Sequence, residues 1–116
     1  MDKKQMTVLL IEPETRPKEV TIDSGLESLQ KAVGGWIEAI YPFDEEVALI
    51  CNDEGKLMGL PPNRVLRRPE TGTIYDIVVG TFFLCAAPAA RENFESLTEE
   101  QIRRYTEYFS TPEFFI

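Results

Sequence analysis

The apolar residues of this chain come in short runs that proline, glycine and acidic turns interrupt. The clearest runs are residues 6–11, 47–51 and 74–86. They are rich in Val, Ile, Leu and Phe, and turn-forming residues follow each of them, which is the pattern of β-strands. Gly80 within the last and strongest run predicts a bulge or a close packing contact. We therefore expect a chain that folds around a β-sheet.

Shorter segments complete the predicted sheet, with further strands at 19–22, 36–41 and 56–60. The first of these follows residues 6–11 across a proline-containing loop, so the two predict a hairpin. The run at 47–51 has no polar alternation, which predicts a strand covered on both faces. Gly55 predicts a hairpin turn with positive φ that leads into the return strand at 56–60. Beyond it, residues 63–68 predict a helical turn.

Two helices are predicted by apolar residues at positions i, i+3 and i+7. The first begins at Ser24, which has capping-box spacing to Glu27, and it ends at Gly34, which favours the left-handed conformation of a helix C-terminus. The second begins at Thr98, which has the same spacing to Gln101. Their predicted apolar faces are Leu26, Leu29 and Val33 in the first helix and Ile102, Tyr105 and Phe109 in the second.

The predicted order of elements is β-β-α-β-β-β-β-α. It predicts one α+β domain over residues 1–116, with a mixed or antiparallel sheet of about five to six strands, one crossing helix and a C-terminal helix. The first half has the element order of a β-grasp fold. A chain of 116 residues with 43% hydrophobic residues is long enough to bury a core without disulfides or metals.

The excess of acidic residues makes some classes of binding partner unfavourable. The chain has 20 acidic and 12 basic residues and a formal net charge of −8, which disfavours direct binding to nucleic acid or to an anionic membrane. The apolar run at 8–11 lacks the length and the cleavage site of a signal peptide, and no apolar run is long enough to cross a bilayer. These features predict a cytoplasmic protein.

The sequence indicates no catalytic machinery. It contains no histidine, which removes the commonest general base and a common metal ligand. Cys51 and Cys85 end apolar runs and are expected to be reduced thiols packed as small hydrophobic residues. The acidic turns at 44–46 and 52–54 lack the spacing of a calcium loop. We expect no metal and no cofactor, name no catalytic residue, and leave open whether the chain is an enzyme.

An arginine group stands out in this acidic chain. Arg64, Arg67 and Arg68 follow two prolines, and guanidinium groups bind phosphate or carboxylate through paired hydrogen bonds. The alternative is a solvated loop whose arginines form surface ion pairs with Glu70 or Asp76.

Glu38 is a separate candidate, because it lies in a predicted strand between Trp36 and Ile40. A carboxylate beside an aromatic ring can have a raised pKa and exchange protons. The alternative is an outward-facing residue on a half-exposed sheet.

Three stretches together resemble Domain of Unknown Function 3846, a family carried by phages, plasmids and conjugative elements. They are residues 29–38, 52–64 and 76–81, of which the second, with its NDEGKLMGLPPNR motif, is the most specific. The resemblance covers about residues 8–86 and leaves the final helix and apolar tail, residues 97–116, outside. It implies a mobile-element accessory protein and carries no established activity.

Within these stretches, four residues are harder to explain by backbone geometry than the glycines are. They are Glu38, Asn52, Asn63 and Arg64, which join Arg67 and Arg68 as candidate residues for binding a ligand or partner.

Three functions stay open at this point. The first is a binding module that contacts a protein partner, with a homodimer as one form of it. The second is a small-ligand-binding domain or minor enzyme that needs Glu38, Asn52, Asn63 and Arg64 in one pocket. The third is an acidic DNA mimic of the anti-restriction type, which the net charge suggests. The apolar residues 114–116 are further expected to pack on the domain's own sheet or across a dimer.

Overall fold

The computed structural model describes residues 4–114. Within that range the chain forms seven strands and two helices. They are β1 (Gln5–Ile11), β2 (Lys18–Asp23), α1 (Leu26–Val33), β3 (Ile37–Ile40), β4 (Val47–Asn52), β5 (Pro62–Arg67), β6 (Ile74–Val79), β7 (Phe82–Ala86) and α2 (Glu99–Tyr108).

The strands form two antiparallel sheets, which confirms the α+β class. The main sheet has the order β2-β1-β7-β4-β3, and the small sheet consists of β5 and β6. The predicted hairpin of β1 and β2 is present, with Met6 opposite Ile22 and Val8 opposite Val20. Every residue of β4 is buried, as the absence of polar alternation in its sequence predicts.

The first half of the chain has the predicted element order of a β-grasp fold, two strands, a helix and two further strands. The hairpin and the crossing helix α1 are present in the expected order. However, β7 lies between β1 and β4 and pairs antiparallel with both. The late strand β7, rather than an early one, is therefore the centre of the sheet.

The two faces of the main sheet are covered by different layers. On one face, Leu49 and Phe82 share a hydrophobic cluster with Leu66 of β5, Val78 of β6 and Tyr105 of α2. Burial of apolar surface there fixes the small sheet and α2 against the main sheet.

On the other face, Ile50 and Phe83 cluster with Leu29 and Val33 of α1. Leu26, which is predicted to share this helix face with Leu29 and Val33, is exposed instead. The main sheet therefore forms a middle layer between α1 on one face and the layer of β5, β6 and α2 on the other.

The helix termini test the predicted caps. Thr98 and Gln101 form the predicted capping box of α2. Gly34 ends α1 with a left-handed φ of 80°, also as predicted. The predicted Ser24–Glu27 box is wrong, because Gly25 occupies the N-cap and no side chain caps the helix. The backbone of Ser24 is engaged elsewhere, since its N–H donates to the carbonyl of residue 4.

The segment between β4 and β6 differs most from expectation. Residues 56–60 form turns rather than a return strand, and Gly55 does not have a positive φ. Residues 62–67 form strand β5 rather than a helical turn, because Val65 and Leu66 are buried and pair with Ile77 and Asp76 of β6.

The long run at 74–86 is not one strand. It divides at Gly80 into β6 and β7, which belong to different sheets. Gly80 has a φ of 72°, and a Cβ there would lie 2.7 Å from Cδ1 of Leu60. The predicted close packing at Gly80 is therefore present, while the predicted continuous strand is wrong.

Candidate functional site

The six candidate residues lie in three separate places. Glu38 and Asn52 line a cleft between β3, β4 and β6. Asn63 and Arg64 are buried in β5. Arg67 and Arg68 line a groove beside α2. Glu38, Asn52, Asn63 and Arg64 therefore do not form one pocket, which the small-ligand hypothesis required.

Arg64 is fully buried and holds several backbone segments together. Its Nε and NH2 groups donate to the carbonyl oxygen of Phe109 at 3.1 and 3.0 Å, and NH2 also donates to that of Thr15 at 2.6 Å. Its NH1 group donates to the backbone and side-chain oxygens of Asn63. Burial lowers the pKa of Arg64 from its ordinary value, while the charge of Glu113 opposes that shift. Arg64 is therefore a structural residue.

The two candidate asparagines also have structural partners. Asn63 Nδ2 donates to the carbonyl oxygens of Ile11 and Gly80, both at 2.9 Å. Asn52 Nδ2 donates to the carbonyl oxygen of Val33 at 3.2 Å, and its Oδ1 accepts the N–H of Glu54 at 2.8 Å. Each asparagine thus ties a turn or strand to a distant segment.

The cleft has a volume of about 180 Å³. Carboxylates of Glu38, Asp53 and Asp76 line it together with one cation, Lys56, whose Nζ lies 2.8 Å from Asp76 Oδ1. The pKa of Asp76 lies below its ordinary value: burial raises it, and the hydrogen bond from Lys56 with that from the Ile77 N–H outweighs the burial. The cleft therefore carries more negative than positive charge.

Cys51 lies in the wall of this cleft, and its ionisation reflects the surrounding charge. Burial, together with the charges of Glu38, Asp76 and Asp53, raises the pKa of its thiol to about 11. A thiol with such a pKa is protonated at neutral pH and is a poor nucleophile.

The carboxylates of the cleft do not converge on a metal. Among residues 4–114, no group of three or more His, Cys, Asp or Glu side chains is placed to hold a metal ion.

Large exposed apolar side chains lie in the lining of the cleft or adjoin residues that line it. Leu57, in its lining, is 88% exposed, and its neighbour Met58 is 56% exposed. Ile77 of β6 also lines the cleft and is partly exposed. Trp36, whose carbonyl oxygen accepts the N–H of Asp53, is 66% exposed. We call these four residues and the cleft together the cleft surface.

The sequence prediction included only Glu38 and Asn52 from the cleft surface. The strand predicted at 56–60 includes Lys56 and Leu57, and the strand predicted at 74–86 includes Asp76. The NDEGKLMGLPPNR motif was the available signal, because five of its residues line the cleft: Asn52, Asp53, Gly55, Lys56 and Leu57. The strand predicted at 56–60 gave no reason to place these side chains in a cleft. In the structure they lie in turns, where exposed side chains do not alternate between two faces.

Carboxylate side chains bond both outer edges of the small sheet. On β5, the N–H of Val65 donates to Oε1 of Glu113 at 3.0 Å. On β6, the N–H of Ile77 donates to Oδ1 of Asp76 at 2.8 Å. Within the described residues, β6 pairs with β5 alone, so its other edge is free for a further strand.

The second candidate place is a groove of about 450 Å³ that Phe43, Arg68 and Tyr108 help to line. Most of its charges are already paired there. Arg104 bonds Glu45, and so does the hydroxyl group of Tyr105.

The two candidate arginines of this groove also have partners in the chain. Arg67 pairs with Glu113, and Arg68 lies over the ring of Tyr75 at 5.3 Å from its centroid. The expected ion pairs with Glu70 or Asp76 are not those observed, because Asp76 bonds Lys56.

The apolar C-terminus is described as far as Phe114, which is half-buried. Residues 115 and 116 of the predicted docking tail lie outside the described residues. In the part of the chain that the structure covers, no helix has the length and apolar character needed to span a membrane.

Fold and site together define an α+β domain with an acidic cleft at the junction of two antiparallel sheets. The chain belongs to the family described as Domain of unknown function (DUF3846), whose model matches residues 6–110. That match includes α2 and so extends beyond the 8–86 region of the sequence resemblance. Searches of the curated proteins and of the solved structures found no match.

Proposed function

We propose that this protein is a mobile-element accessory protein that acts as a non-catalytic binding module and docks a partner protein on the cleft surface. The observation that carries the proposal is the group of exposed apolar side chains in the lining of the acidic cleft or adjoining it, of which Leu57 and Trp36 are the most exposed. Exposed apolar patches with polar rims are typical of protein interaction sites. The mobile-element setting rests on the family resemblance.

The size of the cleft favours a protein over a small molecule. Pockets for cofactors and drug-sized ligands are commonly about 300–1,000 Å³ in volume. At about 180 Å³, this cleft can admit one side chain of a partner. The apolar residues beside it, which include a tryptophan and a methionine, belong to types enriched at protein interfaces.

The charge of the cleft indicates the chemistry of the partner. Glu38, Asp53 and Asp76 outnumber Lys56, so a basic patch on the partner is complementary. Such charges speed association and make it sensitive to salt. The partner surface should therefore combine basic and apolar side chains.

Paired variants test this proposal. We would immobilise the wild-type protein, the double variant L57S/M58S and the control L26S. We would then identify the proteins that each of them retains from a lysate of cells that produce this protein. Leu26 is 57% exposed on α1, in the layer on the other side of the main sheet, so L26S makes the same leucine-to-serine change at another surface.

The proposal expects a protein that the wild type and L26S retain and L57S/M58S loses, with retention falling as salt rises. Light scattering would show whether that partner is a second copy of the chain. Equal retention by all three proteins would exclude the cleft surface as the docking site.

A further inference from the structure

We infer that the partner docks as an extended segment that adds to the free edge of β6 and places a lysine or arginine side chain in the acidic cleft. This inference rests on the proposed function and names its mode of binding. Strand addition to an exposed edge takes its affinity from main-chain hydrogen bonds and its specificity from side-chain pockets. Both features occur together at β6.

The edge of β6 is accessible on the side of the cleft. The N–H of Ile77 is not used by β5, since it donates to the carboxylate of Asp76 at 2.8 Å. The same carboxylate oxygen accepts Lys56 Nζ at 2.8 Å. Asp76 thus covers the edge in the free protein and shares its charge with Lys56, whose side chain is 66% exposed.

The cleft supplies the pocket for a cation. Glu38 and Asp53 line it without a basic partner among the described salt bridges, and Asp76 is the third carboxylate. An incoming ammonium or guanidinium group can replace Lys56 at Asp76 and approach Glu38 as well. The incoming backbone can then take the N–H of Ile77.

Apolar groups are placed to hold the same segment. Ile77 and Leu57 line the cleft, and both are exposed. Alternate side chains of an added strand point to opposite faces, so a basic residue directed into the cleft leaves its neighbours directed away from it. An extended segment with one basic residue among β-branched residues fits this arrangement.

A peptide titration tests the inference. The probe is the acetylated and amidated hexapeptide Thr-Val-Lys-Val-Thr-Val, and its control has Glu in place of Lys. Binding to ¹⁵N-labelled full-length protein is followed by the amide shifts and hydrogen exchange of Tyr75 and Ile77. We expect the lysine peptide to shift these two amides and to slow exchange at Ile77, and we expect the glutamate peptide to bind more weakly.

Three variants separate charge from strand pairing. D76N keeps a side-chain oxygen for the Ile77 N–H but removes the charge, so the lysine peptide should bind about two- to fivefold more weakly. K56M removes the competing cation and should strengthen binding by a similar factor. I77P removes the edge N–H and should abolish binding. Proline is tolerated at strand edges, so this variant should still fold, and a thermal melt verifies that.

Three results would overturn the inference. The first is equal binding of both peptides, and the second is amide shifts confined to another surface. The third is that spermidine alone causes the same amide shifts and that I77P still binds the lysine peptide as the wild type does. If the lysate protein depends on Leu57 and Met58 but the peptides fail, the strand-addition mode is wrong while the proposed function stands. If the lysate experiment fails as well, both are wrong.

Discussion

The guanidinium group of Arg64 donates two hydrogen bonds to the carbonyl oxygen of Phe109, the residue that caps the C-terminal end of α2. The partial negative charge of a helix C-terminus favours a cation there. Arg64 lies in β5, so this contact fixes the small sheet to α2. It also explains how a fully buried arginine is accommodated, since carbonyl oxygens of three residues surround it.

Replacement of Arg64 should therefore be costly. R64M leaves the carbonyl oxygen of the buried Phe109 without the two donors that Arg64 provides, and we expect a loss of about 3 kcal/mol or more in the free energy of unfolding. Urea denaturation measures the loss. R68M is the matched control, because Arg68 is exposed and stacks on Tyr75, and it should cost no more than about 1 kcal/mol. Equal losses would contradict the structural role of Arg64.

Gly80 combines a left-handed backbone with a crowded site, and Gly72 separates the two effects. Both have a φ near 72°, but no atom lies within 4 Å of a Cβ built at Gly72. G72A should cost about 1 kcal/mol, from the backbone alone. G80A should cost at least about 1 kcal/mol more, because its Cβ meets Leu60 at 2.7 Å. Thermal melts of both variants check the difference, and equal costs would show that Leu60 moves freely.

The two predicted helix caps differ in the structure, and alanine substitution should show it. T98A removes the acceptor for the N–H of Gln101, and we expect a loss of about 1 kcal/mol. S24A removes a hydroxyl group that caps no helix, so its effect should stay within about 0.5 kcal/mol. Denaturant midpoints of both variants measure this. A loss at Ser24 as large as that at Thr98 would restore the predicted first capping box.

Glu45 should make stability depend on acid pH. The hydrogen bond from Arg104 lowers the pKa of Glu45 in the folded state, against the opposing effect of burial. The ionised carboxylate therefore stabilises the fold above its unfolded-state pKa, and that contribution is lost as pH falls through the lower folded-state pKa.

The variant E45Q provides the test. E45Q should be less stable than the wild type at pH 7, and the gap between their urea midpoints should narrow as the pH falls below about 4.5, the ordinary value for glutamate. A gap that does not change with pH would show that the ionised form of Glu45 contributes nothing.

The C-terminal tail should stabilise the edge of β5. Deletion after Pro112 removes Glu113, whose carboxylate accepts the N–H of Val65 and pairs with Arg67. We expect a loss of about 1–2 kcal/mol in the free energy of unfolding. E113Q keeps an acceptor oxygen and should cost less. Light scattering on the same samples reports any change of mass, and an unchanged mass with an unchanged melt would show that the tail has no structural role.

Much of the local structure followed from the sequence alone. The runs at 6–11 and 47–51, the glycine that ends α1 and the Thr98–Gln101 box were all placed correctly. These features depend on neighbours within a few positions, where backbone propensity and side-chain spacing decide the conformation. The class of the fold followed from their order.

Tertiary structure decided what local pattern could not. Residues 62–67 form a strand because Val65 and Leu66 are buried and pair with Ile77 and Asp76 of β6, which no short window contains. The run at 74–86 divided because Leu60 packs against Gly80. The cleft unites Glu38, Asp53 and Asp76 from three parts of the chain. Burial and pairing across such separations depend on the packed fold, since only there do these residues become neighbours.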